Sequence, residues 1–175
     1  MSTRTSLKIA RFWILVPTLA FAAASLGSVA PDFTVKDQYD HDLQLSSQRG
    51  KTVLLVHGDR LGSEYMGTWM TAVRKAPAAS SVTVIRIANL RAVPSAFRAY
   101  VKRKFQSPNS EGKAPPPVLL DWEGQVAKAY GAIDDLTNVY LIDDKGMLRY
   151  SASGKGTPDE TRKLLDGIVS LGPKE

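Results

Sequence analysis

Between Val53 and Met70 the chain reads V-L-L-V-H-G-D-R-L-G-S-E-Y-M-G-T-W-M. Four apolar residues, two of them β-branched, run into a short polar loop. Met66, Trp69, Met70 and Val73 then recur at i, i+3, i+4 and i+7, the spacing of a helix with one apolar side. A buried strand that feeds a helix through so short a loop needs a second layer against each of its faces, which points to an α/β architecture. Ser63 is expected as the N-cap, and Glu64 stands where the helix dipole favours an anion. Arg74 and Lys75 close the last turn before Ala76 and Pro77 end the helix. The loop and the helix N-terminus are thereby placed beyond the carboxyl end of the strand, where open α/β sheets bind ligands.

The rest of the chain agrees with that frame. Phe33–Lys36 and Asp42–Leu45 alternate in polarity around a polar turn at Tyr39-Asp40, as the strands of an N-terminal β-hairpin do. Val82–Ile87 is dense in β-branched residues and reads as an interior strand. Pro94 opens a helix with Phe97, Tyr100, Val101 and Phe105 on one side and Arg98, Lys102 and Arg103 off it. From Gln106 to Pro117 the chain is polar and then triply proline, so it is an exposed loop. Val118–Asp121 is a short buried strand, and Gln125–Tyr130 a short helix ended by Gly131. Val139–Asp143 and Met147–Ala152 form a hairpin about Asp144-Lys145-Gly146. Thr157-Pro158-Asp159-Glu160 is a capping box with proline at its first helical position, followed by Leu164, Leu165, Ile168 and Val169 as the buried stripe of a closing helix.

The N-terminus has the form of a secretory signal: Arg4, Lys8 and Arg11, then the apolar run from Phe12 to Ala24, with Ala22-Ala23-Ala24 as a small-residue cleavage pattern. The run falls short of the roughly 20 apolar residues of a membrane span and carries Pro17. Cleavage is expected after Ala24; cleavage after Ala30 would leave Pro31 first. The expected organisation is a signal peptide over residues 1–24 and a single domain over 25–175. The formal charge of +6 shrinks once the three signal bases are set aside, leaving 20 Lys and Arg against 17 Asp and Glu. So modest an excess is a weak argument for nucleic acid or membranes. The chain has no cysteine, which removes disulfides, a lipid-anchored cysteine and thiol chemistry together.

Other chemistry weighs little against plain structure. His57, Asp59 and Ser63 are the residue types of a hydrolase site, but no G-x-S-x-G motif accompanies them. Asp37, Asp40, His41 and Asp42 offer cation ligands without the glycine and distal glutamate of a calcium loop. Arg98, Lys102, Arg103 and Lys104, with Arg91 upstream, read as a solvated basic face, for which an acidic partner or an anionic headgroup is the sharper alternative. Trp69 and Trp122 read as core and turn packing.

Three passages resemble the redoxin branch of the thioredoxin-fold family, which holds thiol peroxidases and periplasmic thiol-disulfide proteins. They are A-P-D-F-T at Ala30–Thr34 with L-S-S-Q-R-G-K-T-V-L-L at Leu45–Leu55, P-V-L-L-D-W-E-G-Q-V-A-K-A-Y-G at Pro117–Gly131, and V-Y-L-I-D-D-K-G-M-L-R-Y at Val139–Tyr150. The resemblance implies a thioredoxin-like three-layer sandwich: a mixed central sheet, flanking helices and an N-terminal β-hairpin. It places a CxxC motif on Gly62-Ser63-Glu64-Tyr65 and the family's cis-proline near Thr137. Neither is present, and a serine hydroxyl cannot replace a thiolate in disulfide or peroxide chemistry. In this the chain is similar to YtfJ-like periplasmic proteins, which are cysteine-free at the same loop. The expected function is that of a periplasmic or secreted, redox-inactive binding or accessory module, with no catalytic residue, metal or cofactor. Its candidate groove comprises His57, Asp59, Arg60, Leu61, Gly62, Ser63, Glu64, Tyr65, Thr137 and Asn138. A protein or peptide of the cell envelope is the expected partner, with no role for nucleic acid and no membrane span after signal cleavage. The alternative is an enzyme of this fold with a cysteine-independent or partner-supplied activity at the same loop.

Overall fold

A computed structural model describes residues 24–171. The proposed signal peptide therefore lies, but for Ala24, outside the described residues. In chain order the elements are β1 (Thr34–Lys36), β2 (Asp42–Gln44), β3 (Thr52–Gly58), α1 (Ser63–Lys75), β4 (Val82–Asn89), α2 (Arg98–Gln106), β5 (Leu119–Asp121), α3 (Gln125–Tyr130), β6 (Thr137–Ile142), β7 (Leu148–Gly154) and α4 (Pro158–Ser170). The five-stranded sheet runs β5-β4-β3-β6-β7, and β1 and β2 form a separate antiparallel pair. Strand β3 is parallel to β4 and antiparallel to β6, so the sheet is mixed.

The alternation along β3 sorts the core into two layers. Val53 and Leu55 face Phe33, Val35, Val126, Tyr130 and Tyr140, beneath the hairpin and α3. Leu54 and Val56 face Trp69, Val73, Leu164 and Ile168, which α1 and α4 supply. Every residue of β3 from Val53 to Gly58 is buried, as expected of a strand covered on both sides. Helix α4 begins with the expected capping box: Glu160 N–H donates to Thr157 Oγ1 and Thr157 N–H to Glu160 Oε2. Gly131 ends α3 in the left-handed region at φ 62°, where a side chain would be strained.

A buried carboxylate holds the front of α3. Asp121 is 1% exposed and accepts from the N–H groups of Gln125 and Val126, each at 2.9 Å, with Ala127 N–H at 3.4 Å. Asp121→Ala leaves these amides without their acceptor and is expected to lower stability by about 2 kcal/mol. A urea melt checks this, and Asp121→Asn should recover part of the loss.

Three expectations of the fold need correction. Val169, expected in the buried stripe of α4 with Leu164 and Ile168, is 66% exposed. Ser63 is the first residue of α1 and not its cap: Gly62 holds the cap position, while Ser63 Oγ donates to the Arg60 carbonyl at 2.7 Å. The helix expected from Pro94 starts as a 3-10 turn at Ser95–Phe97 before α2, and no residue of either is buried. Phe97 and Tyr100 are 58% and 55% exposed. Val101 and Phe105 are only half-buried, because the core layer on this side of the sheet is already built by α1 and α4.

Candidate functional site

Strand β3 delivers Gly58 to the carboxyl edge of the sheet, and Asp59 turns the chain into α1. Its carboxylate Oδ1 accepts the N–H of the cap residue Gly62 at 2.8 Å, and its carbonyl accepts Ser63 N–H at 2.9 Å. This satisfies amides that a helix start otherwise leaves open. Oδ2 reaches across to the Asp135 N–H at 2.9 Å, so one side chain ties the loop to the segment before β6.

That segment is held just as closely. Asn138, 1% exposed, accepts at Oδ1 from Ile133 N–H and Ser153 Oγ, and donates through Nδ2 to the carbonyls of Ile133 and Leu136. Thr137, fully buried, donates from Oγ1 to the Gly62 carbonyl at 2.6 Å. Thr137 thus faces Gly62 where the resemblance puts the family's cis-proline against its cysteine helix. A Cβ on Gly62 would lie 2.3 Å from the Leu136 carbonyl oxygen. The two segments are brought together as expected, but they touch, and no groove separates them. Thr137 and Asn138 therefore serve beneath the surface. Arg60, Leu61, Ser63 and Glu64 are exposed, Asp59 and Tyr65 partly so. Leu61 is 45% exposed, and Lys155 stacks its ammonium over the Tyr65 ring at 5.3 Å.

His57 is not a surface base. It is 1% exposed and neither ring nitrogen has a hydrogen-bond partner among the described residues. Burial holds its pKa below the ordinary value of 6.5, against the opposing pull of Asp121 and Asp59. With Asp59 committed to two amides and Ser63 donating to Arg60, the three residues form no proton relay. The depressed pKa has a stability consequence. Between 6.5 and the folded value the unfolded chain binds a proton that the folded chain refuses, so stability falls as pH drops below about 6.5. The slope is up to about 1.4 kcal/mol per pH unit. In His57→Leu this part of the acid sensitivity should vanish, as urea midpoints taken on either side of that pH will register.

Beside the loop lies an open groove of about 880 Å³, lined mainly by apolar atoms. Its lining includes Leu61 and Met66, Val93, Val101 and Phe105, and Arg86 and Ala88 of β4. Pro115, Pro116 and Val118 of the proline segment line it too, and that segment is exposed as expected yet pinned. Gln38, fully buried, donates to the Pro116 carbonyl and accepts from Val118 N–H; Tyr39 Oη donates to Pro115; Arg86 Nη2 donates to Pro116 and Pro117.

The remaining candidates are absorbed by local structure. Asp37 accepts from Tyr39 and His41 N–H and pairs with the His41 ring, Asp40 pairs with Lys102, and Asp42 with Lys36. On the basic face Arg98 pairs with Glu123 and stacks on Trp122, and Arg91 pairs with Asp134. Sequence reasoning missed Arg86, Gln38 and Leu136. Arg86 carried a signal, a lone charge inside V-T-V-I-R-I; Leu136 carried none, since its role is that of a backbone carbonyl.

Comparison with known proteins agrees with this geometry. The thiol-disulfide oxidoreductase ResA of Geobacillus kaustophilus (strain HTA426) is 26% identical over 147 residues, covering 83% of this chain and 79% of the relative. Among solved structures, one from Chlorobium tepidum described as a thiol:disulfide interchange protein DsbE matches with a TM-score of 0.62 at 21% identity, covering 86% of this chain and all of that one. The exposed lipoprotein thioredoxin Etrx1 of Streptococcus pneumoniae strain TIGR4 matches with a TM-score of 0.59 at 21% identity, over 81% of this chain and 100% of its own. The fold is thioredoxin-like. The AhpC/TSA family model matches residues 26–151, and the chain, cysteine-free as it is, belongs to that family.

Proposed function

We propose that this protein is an exported, redox-inactive binding module of the cell envelope, and that it takes a protein or peptide partner on the surface formed by Asp59–Tyr65. The observation that carries the reading is the loop itself. Its geometry is fully built, with Asp59 and Thr137 fixing it to the neighbouring segment, while the chain has no thiol to place there. Thiol-disulfide exchange and peroxide reduction both proceed through a sulfur that is attacked or attacks. A scaffold without sulfur keeps the surface and loses the reaction. Exposed Leu61 supplies an apolar contact on a loop held in place by these bonds. Export is supported by the signal-like N-terminus and by the exposed lipoprotein among its structural neighbours. No helix among the described residues is long and apolar enough to cross a membrane.

A photocrosslinking residue placed at Leu61 in intact cells tests this. Discrete adducts to one or a few envelope proteins are expected from position 61, and none from Lys145, which is exposed on the β6-β7 turn at the other end of the sheet. Equal labelling from both positions, or from neither, contradicts the reading.

A further inference from the structure

We infer that the groove beside the loop is a binding site for a small apolar carboxylic acid, with Arg86 as the residue that receives the carboxylate. This goes beyond the partner surface proposed above and does not depend on it. The first observation is the volume. About 880 Å³ lies in the range of cavities that enclose small ligands, and the walls are apolar: Leu61, Met66, Val93, Val101 and Phe105.

The second is Arg86. It stands on an interior strand with β3 on one side and β5 on the other, on the sheet face shared with Val84 and Ala88. The next residue on that face, Ala88, is too small to fill the space above it. Among the described residues only Nη2 of the guanidinium is engaged, with the carbonyls of Pro116 and Pro117 at 3.1 and 3.4 Å. No carboxylate pairs with it among the described residues; the other arginines without one, Arg49, Arg60, Arg74 and Arg103, are exposed, whereas Arg86 is half-buried. Partial burial pulls its pKa down from 12.5, as expected of a cation removed from water without a counter-charge. Holding two proline carbonyls is a structural duty, but a neutral amide could perform it. A charged guanidinium with Nε and Nη1 free is matched instead by an anion, and its planar donor set suits a carboxylate.

Charge sets the orientation. Asp59, Asp135, Lys104 and Arg86 all line the groove, but Lys104 holds its ammonium over the Tyr100 ring at 5.5 Å. An acid enters with its carboxylate on Arg86 and its hydrocarbon body against Val93, Leu61 and Met66. Asp59 spends its carboxylate on Gly62 and Asp135 amides, so it does not compete for Arg86.

Calorimetric titration of the purified protein with dodecanoate, with dodecan-1-ol and with dodecylamine tests the assignment on the unmodified chain. Saturable binding of one dodecanoate is expected, with the alcohol at least tenfold weaker and the amine weaker still. Arg86→Gln should weaken dodecanoate at least tenfold and leave the alcohol unchanged, and Arg86→Lys should restore part of the loss. Inorganic phosphate alone should not displace the acid, because it lacks the apolar body. The proposal is overturned if the alcohol or the amine binds as tightly as the acid, if no ligand saturates, if phosphate displaces dodecanoate, or if Arg86→Gln, folded by circular dichroism, binds it unchanged.

Discussion

Truncation of Trp69 to alanine is expected to cost about 3 to 5 kcal/mol, a large share of the roughly 5 to 15 kcal/mol that holds a domain of this kind together. The indole is fully buried between α1 and the sheet, among Leu54, Val56, Val139 and Leu164. Its Nε1 donates to the Gly154 carbonyl at 3.2 Å, which ties the middle of α1 to the end of β7. Removal leaves a cavity between the sheet on one side and α1 and α4 on the other, and the strands, held in register, cannot move in to fill it. Trp69→Phe keeps most of the volume and loses the hydrogen bond, so it should fall about 1 kcal/mol below the parent before any packing change. Urea midpoints of the two variants give the comparison. The effect would extend to the proposed partner surface, because α1 carries Ser63, Glu64 and Tyr65 at its first turn.

Gly62→Ala should have the second largest effect, for a different reason. The added methyl carbon would sit 2.3 Å from the Leu136 carbonyl oxygen and 2.7 Å from its carbon. Both are backbone atoms, fixed in turn by Asn138 through its bond to that same carbonyl. Relief requires the loop to withdraw, which breaks the Thr137 bond to Gly62 and the Asp59 bond to Asp135. The expected loss is about 3 kcal/mol, with faster amide exchange at Asp135 and with crosslinking from Leu61 diminished. A variant with the parent's midpoint and exchange rates would show that the two segments are not coupled. By contrast a methyl carbon added at Gly67, on the same helix, would meet nothing within 4 Å, so Gly67→Ala serves as the matched control.

The strands and helices were legible because each carries its own periodicity. Val53–Val56 declares a buried strand by composition, and Thr157 to Glu160 declares a helix start by side-chain chemistry alone. Ser63 misled because serine before an apolar helical run is a cap by preference, and preference could not register that Asp59, four residues earlier, already reaches the open amides. Phe97 and Tyr100 misled in the same way: spacing shows that they share a helix side, but whether that side meets the core depends on what already covers the sheet. His57, Thr137 and Asn138 do stand at the end of the sheet near the loop. Their burial could not be read from sequence, because polar residues at a strand end are as compatible with a network beneath the surface as with a site upon it. Gln38 and Arg86 act over long sequence separations, on Pro116 in both cases; the lone charge in V-T-V-I-R-I marks Arg86 as unusual, but nothing local names its partner.

A redoxin scaffold that binds without exchanging electrons is tested most directly by reduction of insulin disulfides and of a hydroperoxide with the purified chain, residues 25–175, supplied with reductant. Rates equal to those of buffer are the predicted result in both assays. Turnover above buffer that is lost in Asp59→Ala or Ser63→Ala would contradict the account and locate an activity at this loop.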